Sequence, residues 1–481
     1  MEQIRIIHTN DLHSHLDKWP KIRRFIKERQ QPAENESIIT VDLGDFADRW
    51  HPLTEASDGK ENVVLMNQVD YDYATIGNNE GTGNSKAQMD GLYEDAQFEV
   101  LLANLFDKST LQRPKWVKPY AIKTTPEGTK VGIMALTAYF PLTYEPNGWD
   151  IRTWQEILPH LVATLRPQVD VLVLLSHLGI EEDRVIAQEC SELDVIIGSH
   201  THHLFQKGER MNGVLVAAAG KFGLYVGEVV IQLAQQNGVR TITHKEARTF
   251  ETDQMLSFPE DQAEIDSYVK KGQAALRASV VTTIEQPLPI AQADGPNLIN
   301  EALEALKSRA KTEVALLNTG LFLRPLQAGV VTQEDLHQLL PHPMHLVRVT
   351  LTGQEMIRFV KEIEKNRSFL RRFPIVGMGF RGKIFGDIVM AGIHYDEIND
   401  TVLWQGDALE EVQEYTFATV DHWVFIPFFP TLEIAGKIEF LFPEFIRTVL
   451  GNYLNQKNRL CECDRSSAEL PKESKTRYNK T

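Results

Sequence analysis

Three cysteines in 481 residues are too few to staple this chain. Cys461 and Cys463 sit in a polar tail and Cys190 in a helix-like stretch, so a disulfide framework is excluded. No apolar run reaches the roughly 18 residues of a membrane-spanning helix, and no membrane partner is expected. Positive charge is also short: 50 Lys and Arg stand against 66 Asp and Glu, a net charge of −16. Wrapping DNA or RNA calls for a basic surface, so a nucleic-acid polymer is excluded as partner. A small nucleotide is not excluded, because a bound metal ion can supply local positive charge. Met1-Glu2-Gln3-Ile4-Arg5 shows no basic n-region, no apolar h-region and no small-residue cleavage site. With so little cysteine, the expectation is a signal-less protein of the reducing cytoplasm. Internal repeats and low-complexity tracts are absent as well.

What is present is an ordinary globular composition, 42% hydrophobic and 24% charged. The length exceeds one compact core, which points to two domains. Up to about residue 250 short apolar runs alternate with amphipathic stretches, the mark of an α/β layered domain. The runs include Ile4–Ile7, Ser37–Val41, Ala74–Ile76, Val171–Leu175 and Val195–Ile197. The stretch Arg49–Lys60 reads as a polar loop. Residues 255–280 read as a connecting helix opened by Pro259, 281–455 as a second mixed domain, and 456–481 as a disordered tail.

The informative pattern lies just past the apolar runs. Ile4–Ile7 leads to Asp11-Leu12-His13, and Ser37–Val41 to Gly44-Asp45. Ala74–Ile76 leads to Gly77-Asn78, Val171–Leu175 to Ser176-His177, and Val195–Ile197 to Gly198-Ser199-His200-Thr201-His202. Each piece has an ordinary alternative: Asp45 as a helix N-cap, Asn78 as an Asx-turn, His-Thr-His as a surface loop. Their recurrence at strand ends, where α/β sheets bind ligands, favours one shared centre. Mixed imidazole, carboxylate and amide ligands suit two divalent ions among Mn, Zn, Fe and Co, with Asp45 able to bridge them.

In this order the motifs resemble those of the calcineurin-like metallophosphoesterases. Thr9-Asn10-Asp11-Leu12-His13, with a second domain behind, is similar to the 5′-nucleotidase family, over residues 3 to about 450. The resemblance implies a four-layer α/β/β/α sandwich followed by an α+β substrate-binding domain. It implies one ion on Asp11, His13, Asp45 and His202, and the other on Asp45, Asn78, His177 and His200. It also implies attack on a phosphate ester, a nucleotide or similar small organic phosphate, by a hydroxide shared between the ions. In the second domain Asn318-Thr319-Gly320, with Arg324 beyond, resembles a substrate-binding segment, and Phe380 with Arg381 offers a stacking ring and a cation.

Two departures matter. The family's His after Gly-Asn, paired with an Asp, stabilises the transition state. Here Asn79 and Thr82 stand at those positions. Asn79 can donate a hydrogen bond to phosphate but has no transferable proton. The family's Gly-Gly-Asp-Gly-Tyr segment is replaced by Asp421–Phe428. The leading reading is a dinuclear metallophosphoesterase with an altered acid. The alternatives are a sensor or scaffold that binds metal and nucleotide, and a hydrolase of sulfur compounds.

Overall fold

Alternation along the apolar strands decides the layers. Ile4 and Ile6 of the first strand, Glu2–Thr9, face one core, whereas Ile7 faces another. In Val171–His177 the odd positions Val171, Val173 and Leu175 join the first of these cores, while Leu172 and Leu174 point the opposite way. Strands apolar on both faces need cover on both. The cover comes from each other and from helices such as Trp19–Arg29 and Trp154–Leu165. The result is two six-stranded sheets face to face with helices outside, the α/β/β/α sandwich.

This computed structural model describes residues 2–468 apart from 237–238, 293–294 and 378. The chain divides into two compact units, Met1–Leu276 and Arg277–Thr481. In the first, Glu2–Thr9 pairs in parallel with Glu36–Asp42, which pairs in parallel with Tyr73–Ala74. In the other sheet Lys130–Thr137, Val171–His177, Val195–Gly198 and Val214–Ala217 run parallel to their neighbours. These strands therefore end on one edge of each sheet, which is what gathers the loops singled out above.

The Arg49–Lys60 stretch is not a loop. Pro52 starts a helix, Pro52–Ser57, capped by His51, whose ring nitrogen accepts the Leu53 N–H at 3.2 Å. Val239–Glu251 pairs antiparallel with Tyr225–Gln236, which carries the β-structure to the boundary expected at about residue 250.

The second unit is built on a five-stranded mixed sheet, Ile388–Ala391, Val314–Asn318, Glu414–Val420, His345–Thr352 and Lys437–Phe445 in spatial order. The helix Gly353–Leu370 buries Met356, Phe359, Val360 and Ile363, and its start is a capping box between Thr352 and Glu355. The last helix, Ile446–Ala468, runs past the boundary placed at 455: Leu454 is buried and Lys457 pairs with Glu301 at 2.7 Å. The first part of the 456–481 tail is thus helical, and residues 469–481 lie outside the described residues.

Two histidines of this unit are kept neutral by burial, which lowers His342 and His422 to about 3. Unfolded histidine titrates at about 6.5. Burial raises Asp421 instead, to about 7, so its stabilising contribution is present at low pH and fades as pH rises through that value. Between about pH 4 and 6.5 the unfolded chain binds protons at both histidines and the folded chain binds one at Asp421. The net is one proton more on the unfolded chain, so stability rises as pH rises across this window, by about 1.4 kcal/mol per unit. Removing one histidine, by His422→Leu, should flatten this slope by the same amount. Denaturant titrations of both proteins across the window check it, and parallel slopes would rule the assignment out.

Candidate metal centre

Ligand-type side chains reach one place because the strand ends turn sharply. Asp11, His13, Asp45, His200 and His202 all adopt positive φ, between 45° and 71°, a region that side chains other than Gly rarely occupy. Backbone bonds fix the turns: His13 N–H donates to the Asp45 carbonyl at 2.7 Å, and Asp11 N–H to that of Gly44 at 3.2 Å. Gly77 leaves room for the centre, since a Cβ there would lie 1.9 Å from Asp45 Oδ1. Asn10 ties the two sheets together, donating to the Gly198 carbonyl at 2.5 Å.

Asp45 Oδ2 lies between two imidazoles, 3.6 Å from His13 Nε2 and 3.5 Å from His177 Nε2. His13 Nε2 and His202 Nε2 are 3.1 Å apart, and His202 Nε2 is 3.7 Å from Asp11 Oδ1. Two sets of ligand atoms, Asp11/His13/His202 and Asp11/Asp45/His177, each fall within 4.8 Å of one another. Asp11 thus touches both sets. The His200 ring lies 5.3 Å from that of His177. Asn78 Oδ1 and His177 Nε2 are buried and accept no hydrogen bond from the described residues. Asn78 Oδ1 is an uncompensated acceptor of the kind a divalent cation would satisfy, and at His177 Nε2 a cation would replace the proton held beside Asp45. The opposite nitrogen of His177 is anchored on the Leu43 carbonyl at 2.7 Å, which directs Nε2 at the centre.

Electrostatics fit the same picture. Burial works against charge on Asp45, yet the His177 and His13 imidazoles and the Asn79 N–H hold its carboxyl well below the usual range. Burial and the neighbouring Asp45 push Asp11 up. Against burial, Asp45 and Asp11 lift His177 to about 10. His200 and His202, desolvated and facing other imidazoles, fall to about 4 and about 3. They are neutral near pH 7, the form that ligates a metal.

Asp48 and Phe222 of the centre were not singled out in the sequence. Asp48 Oδ2 is 3.3 Å from His13 Nδ1, and Asn79 Nδ2 lies 2.7 Å from the same nitrogen. Glu80, buried, accepts the N–H groups of Gly77, Asp45 and Ala47 at 2.8–2.9 Å. Its oxygens hold the loops and do not face a ligand. Phe222, at φ 60°, packs against His13, His15 and His202, and Lys221 Nζ lies 4.6 Å over its ring. The signal for these was weak: Asp48 stands in a stretch read as polar loop, and Phe222 follows an apolar run without Asp or His.

The second-unit candidates divide. Asn318 is fully buried: its amide donates to the Phe385 carbonyl at 2.7 Å and accepts the Trp423 indole N–H at 3.1 Å. Phe380 is also interior, stacked on His342 with centroids 5.2 Å apart. Both were expected on a ligand surface, and both instead hold the core, because an aromatic-rich interior needs polar ties to its backbone. Arg381 is anchored beside them through its N–H on His342 Nδ1 at 2.8 Å, whereas Arg324 is half-exposed beside Asp335 at 3.5 Å.

Comparison with known proteins agrees with this architecture. Residues 4–204 match the calcineurin-like phosphoesterase family, and residues 279–425 match the 5′-nucleotidase C-terminal domain. An uncharacterized metallophosphoesterase of Bacillus subtilis, YunD, is 35% identical over 95% of this chain and 100% of its own length. The NAD nucleotidase of Haemophilus influenzae shares the fold at a TM-score of 0.63 with 17% identity, over 95% of this chain and 96% of that one. A 5′-nucleotidase precursor from Thermus thermophilus does so at 0.56 with 19% identity, over 95% and 96%.

Proposed function

Because the chain belongs to the 5′-nucleotidase family of calcineurin-like metallophosphoesterases, a family of hydrolases that use divalent metal ions, we propose that it hydrolyses a nucleotide or similar organic phosphate at a two-metal centre. The position of Asp45 Oδ2 between His13 and His177 carries this reading, since one carboxylate so placed can serve two ions. Two cations held by Asp11, His13, Asp45, Asn78, His177, His200 and His202 would supply Lewis acidity toward the phosphoryl group and lower the pKa of the attacking water.

The protein's own contribution is arrangement. Ser199 Oγ and the His200 N–H donate to Asp11 at 2.5 and 3.1 Å and fix its carboxylate. Phe222, Trp50 and His15 form an aromatic wall, with the His15 ring 5.2 Å from Trp50 and 4.1 Å from Phe222. Phe140 stands 5.5 Å from His200. Such walls exclude water and offer apolar contact to the organic part of a substrate. Asn79 stands where the family pattern has a proton-donating His and carries no transferable proton of its own. Arg324 is carried over as a substrate contact on the strength of the resemblance, and Arg381 as a cation in a Gly-rich stretch suited to an anion. A cytoplasmic location accords with the scarce cysteine. No described helix is long and apolar enough to cross a membrane.

The test is a substrate panel on chelator-stripped protein reloaded with Mn, Zn, Fe(II) or Co: p-nitrophenyl phosphate, its bis-ester, mononucleotides and cyclic nucleotides. Metal-dependent turnover of at least one phosphate is expected, abolished again by chelator. The replacement of the His–Asp pair by Asn79 and Thr82 favours the sensor reading as the second choice. Two bound ions and tight nucleotide binding, with no turnover of any ester, would establish that reading instead.

A further inference from the structure

We propose that Asp48 and Asn79 form a hydrogen-bonded bridge that positions one ligand of each cation, His13 on one side and Asn78 on the other. The proposal rests on the two-metal reading above. It gives Asn79 work in holding the centre together.

If His13 offers Nε2 to a cation, its remaining proton sits on Nδ1, which becomes a donor. Within reach of Nδ1 are Asp48 Oδ2 at 3.3 Å and Asn79 Nδ2 at 2.7 Å. Only the carboxylate can accept. On the far side, Asn78 offers Oδ1, the buried atom that accepts no hydrogen bond from the described residues, and this leaves its Nδ2 as donor. That Nδ2 faces Asn79 Oδ1 at 3.3 Å. With its oxygen committed to Asn78, Asn79 must present Nδ2 to Asp48 Oδ2, 3.4 Å away. With His13 ligating through Nε2, one assignment gives each remaining donor an acceptor. His13 Nδ1–H and Asn79 Nδ2–H both donate to Asp48 Oδ2, and Asn78 Nδ2–H donates to Asn79 Oδ1. Flipping Asn79 alone sets donor against donor at Asn78, and flipping Asn78 alone sets acceptor against acceptor. In this assignment the 2.7 Å contact between Asn79 Nδ2 and His13 Nδ1 joins two donors, so metal loading should lengthen it and shorten both bonds to Asp48.

Asp48 is built for the position. It is 3% exposed, its N–H donates to Ser14 Oγ at 2.8 Å, and its other oxygen accepts the Trp50 N–H at 3.2 Å. Asn79 also donates its backbone N–H to Asp45 Oδ1 at 2.8 Å, so the bridge touches the carboxylate between the two imidazoles as well. A histidine at 79 could take part in proton transfer but could not accept from Asn78 while donating to Asp48 in the same geometry.

Calorimetric titration of chelator-stripped protein with Mn²⁺, together with the visible spectrum of the Co²⁺-loaded form, tests the bridge. Wild type is expected to bind two ions. Asp48→Asn keeps the shape and removes the charge, and should weaken both steps by about 10–100-fold, the usual effect of losing an outer ligand contact. The Co²⁺ bands should shift as well. Asn79→Ala should weaken both steps too, and the double variant should be little worse than Asp48→Asn alone, because the two act in one path. The metal-free melting temperature of each variant should stay near wild type. If wild type binds no Mn²⁺, the two-metal reading itself fails. If wild type binds two ions and Asp48→Asn binds both equally well, or loses affinity at one step only, the bridge is wrong.

Discussion

Asp45→Asn should lose most bound metal and all measurable turnover while leaving the sandwich folded. The carboxylate is buried, held ionised by His13 and His177, and placed to serve two cations. An amide of the same shape keeps one oxygen and none of the charge. Losing an outer contact to a ligand typically weakens metal binding by about 10–100-fold, and losing a shared ligand should exceed that. Asp45→Asn also removes the partner that keeps His177 protonated in the metal-free protein. The His177 ring should then titrate much nearer neutrality, which NMR of metal-free wild type and variant would reveal. Full double occupancy in Asp45→Asn, measured by elemental analysis, would refute the shared-ligand assignment.

The second large effect concerns the leaving group. An aryl phosphate departs as a stabilised phenolate, whereas a nucleoside oxygen is far more basic and needs a proton. With Asn79 at the place of the histidine, that proton has no donor at the usual position, a deficit of about 10²–10⁴-fold for poor leaving groups. Wild type should therefore cleave p-nitrophenyl phosphate faster than AMP by something within that range. Asn79→His combined with Thr82→Asp should raise AMP turnover more than aryl ester turnover. The structure adds a point: Asp48 Oδ2, 3.4 Å from the Asn79 amide, is already placed to hold an imidazole installed at 79. Asn79→His alone should then recover part of the gain, at the expense of metal affinity. AMP hydrolysed by wild type as fast as the aryl ester, with no further acid in the pH profile, would sink the idea.

The sandwich was legible because its strands are apolar on both faces and each stops at a polar turn. The ligand-type side chains follow those stops within a few residues, so period and position pointed to them together. The second unit hid its logic. Asn318-Thr319-Gly320 looks like a ligand loop in one dimension, but Gly320 is a tight packing joint: a Cβ there would meet the Ile384 carbonyl at 2.0 Å. Phe380 and Trp423 could not be told from stacking platforms by type alone, since burial separates the two roles. Asp48 was missed because its importance lies in which nitrogen of His13 it faces, a relation between loops that no spacing encodes.

The left-handed turns have one more consequence, for what drift would do to this chain. A β-carbon in that region carries a penalty of roughly 1–2 kcal/mol, less for Asp, Asn and His, which occupy it more readily than other side chains. His13, His200 and His202 all sit there. Glycine at any of them would relax the backbone, and selection for stability alone offers no reason to keep an imidazole at such a site. A lineage that had abandoned its metals would find glycine or asparagine there an easy gain. In the two-metal reading proposed above, the imidazoles at these three positions supply ligand nitrogens at a cost to the backbone.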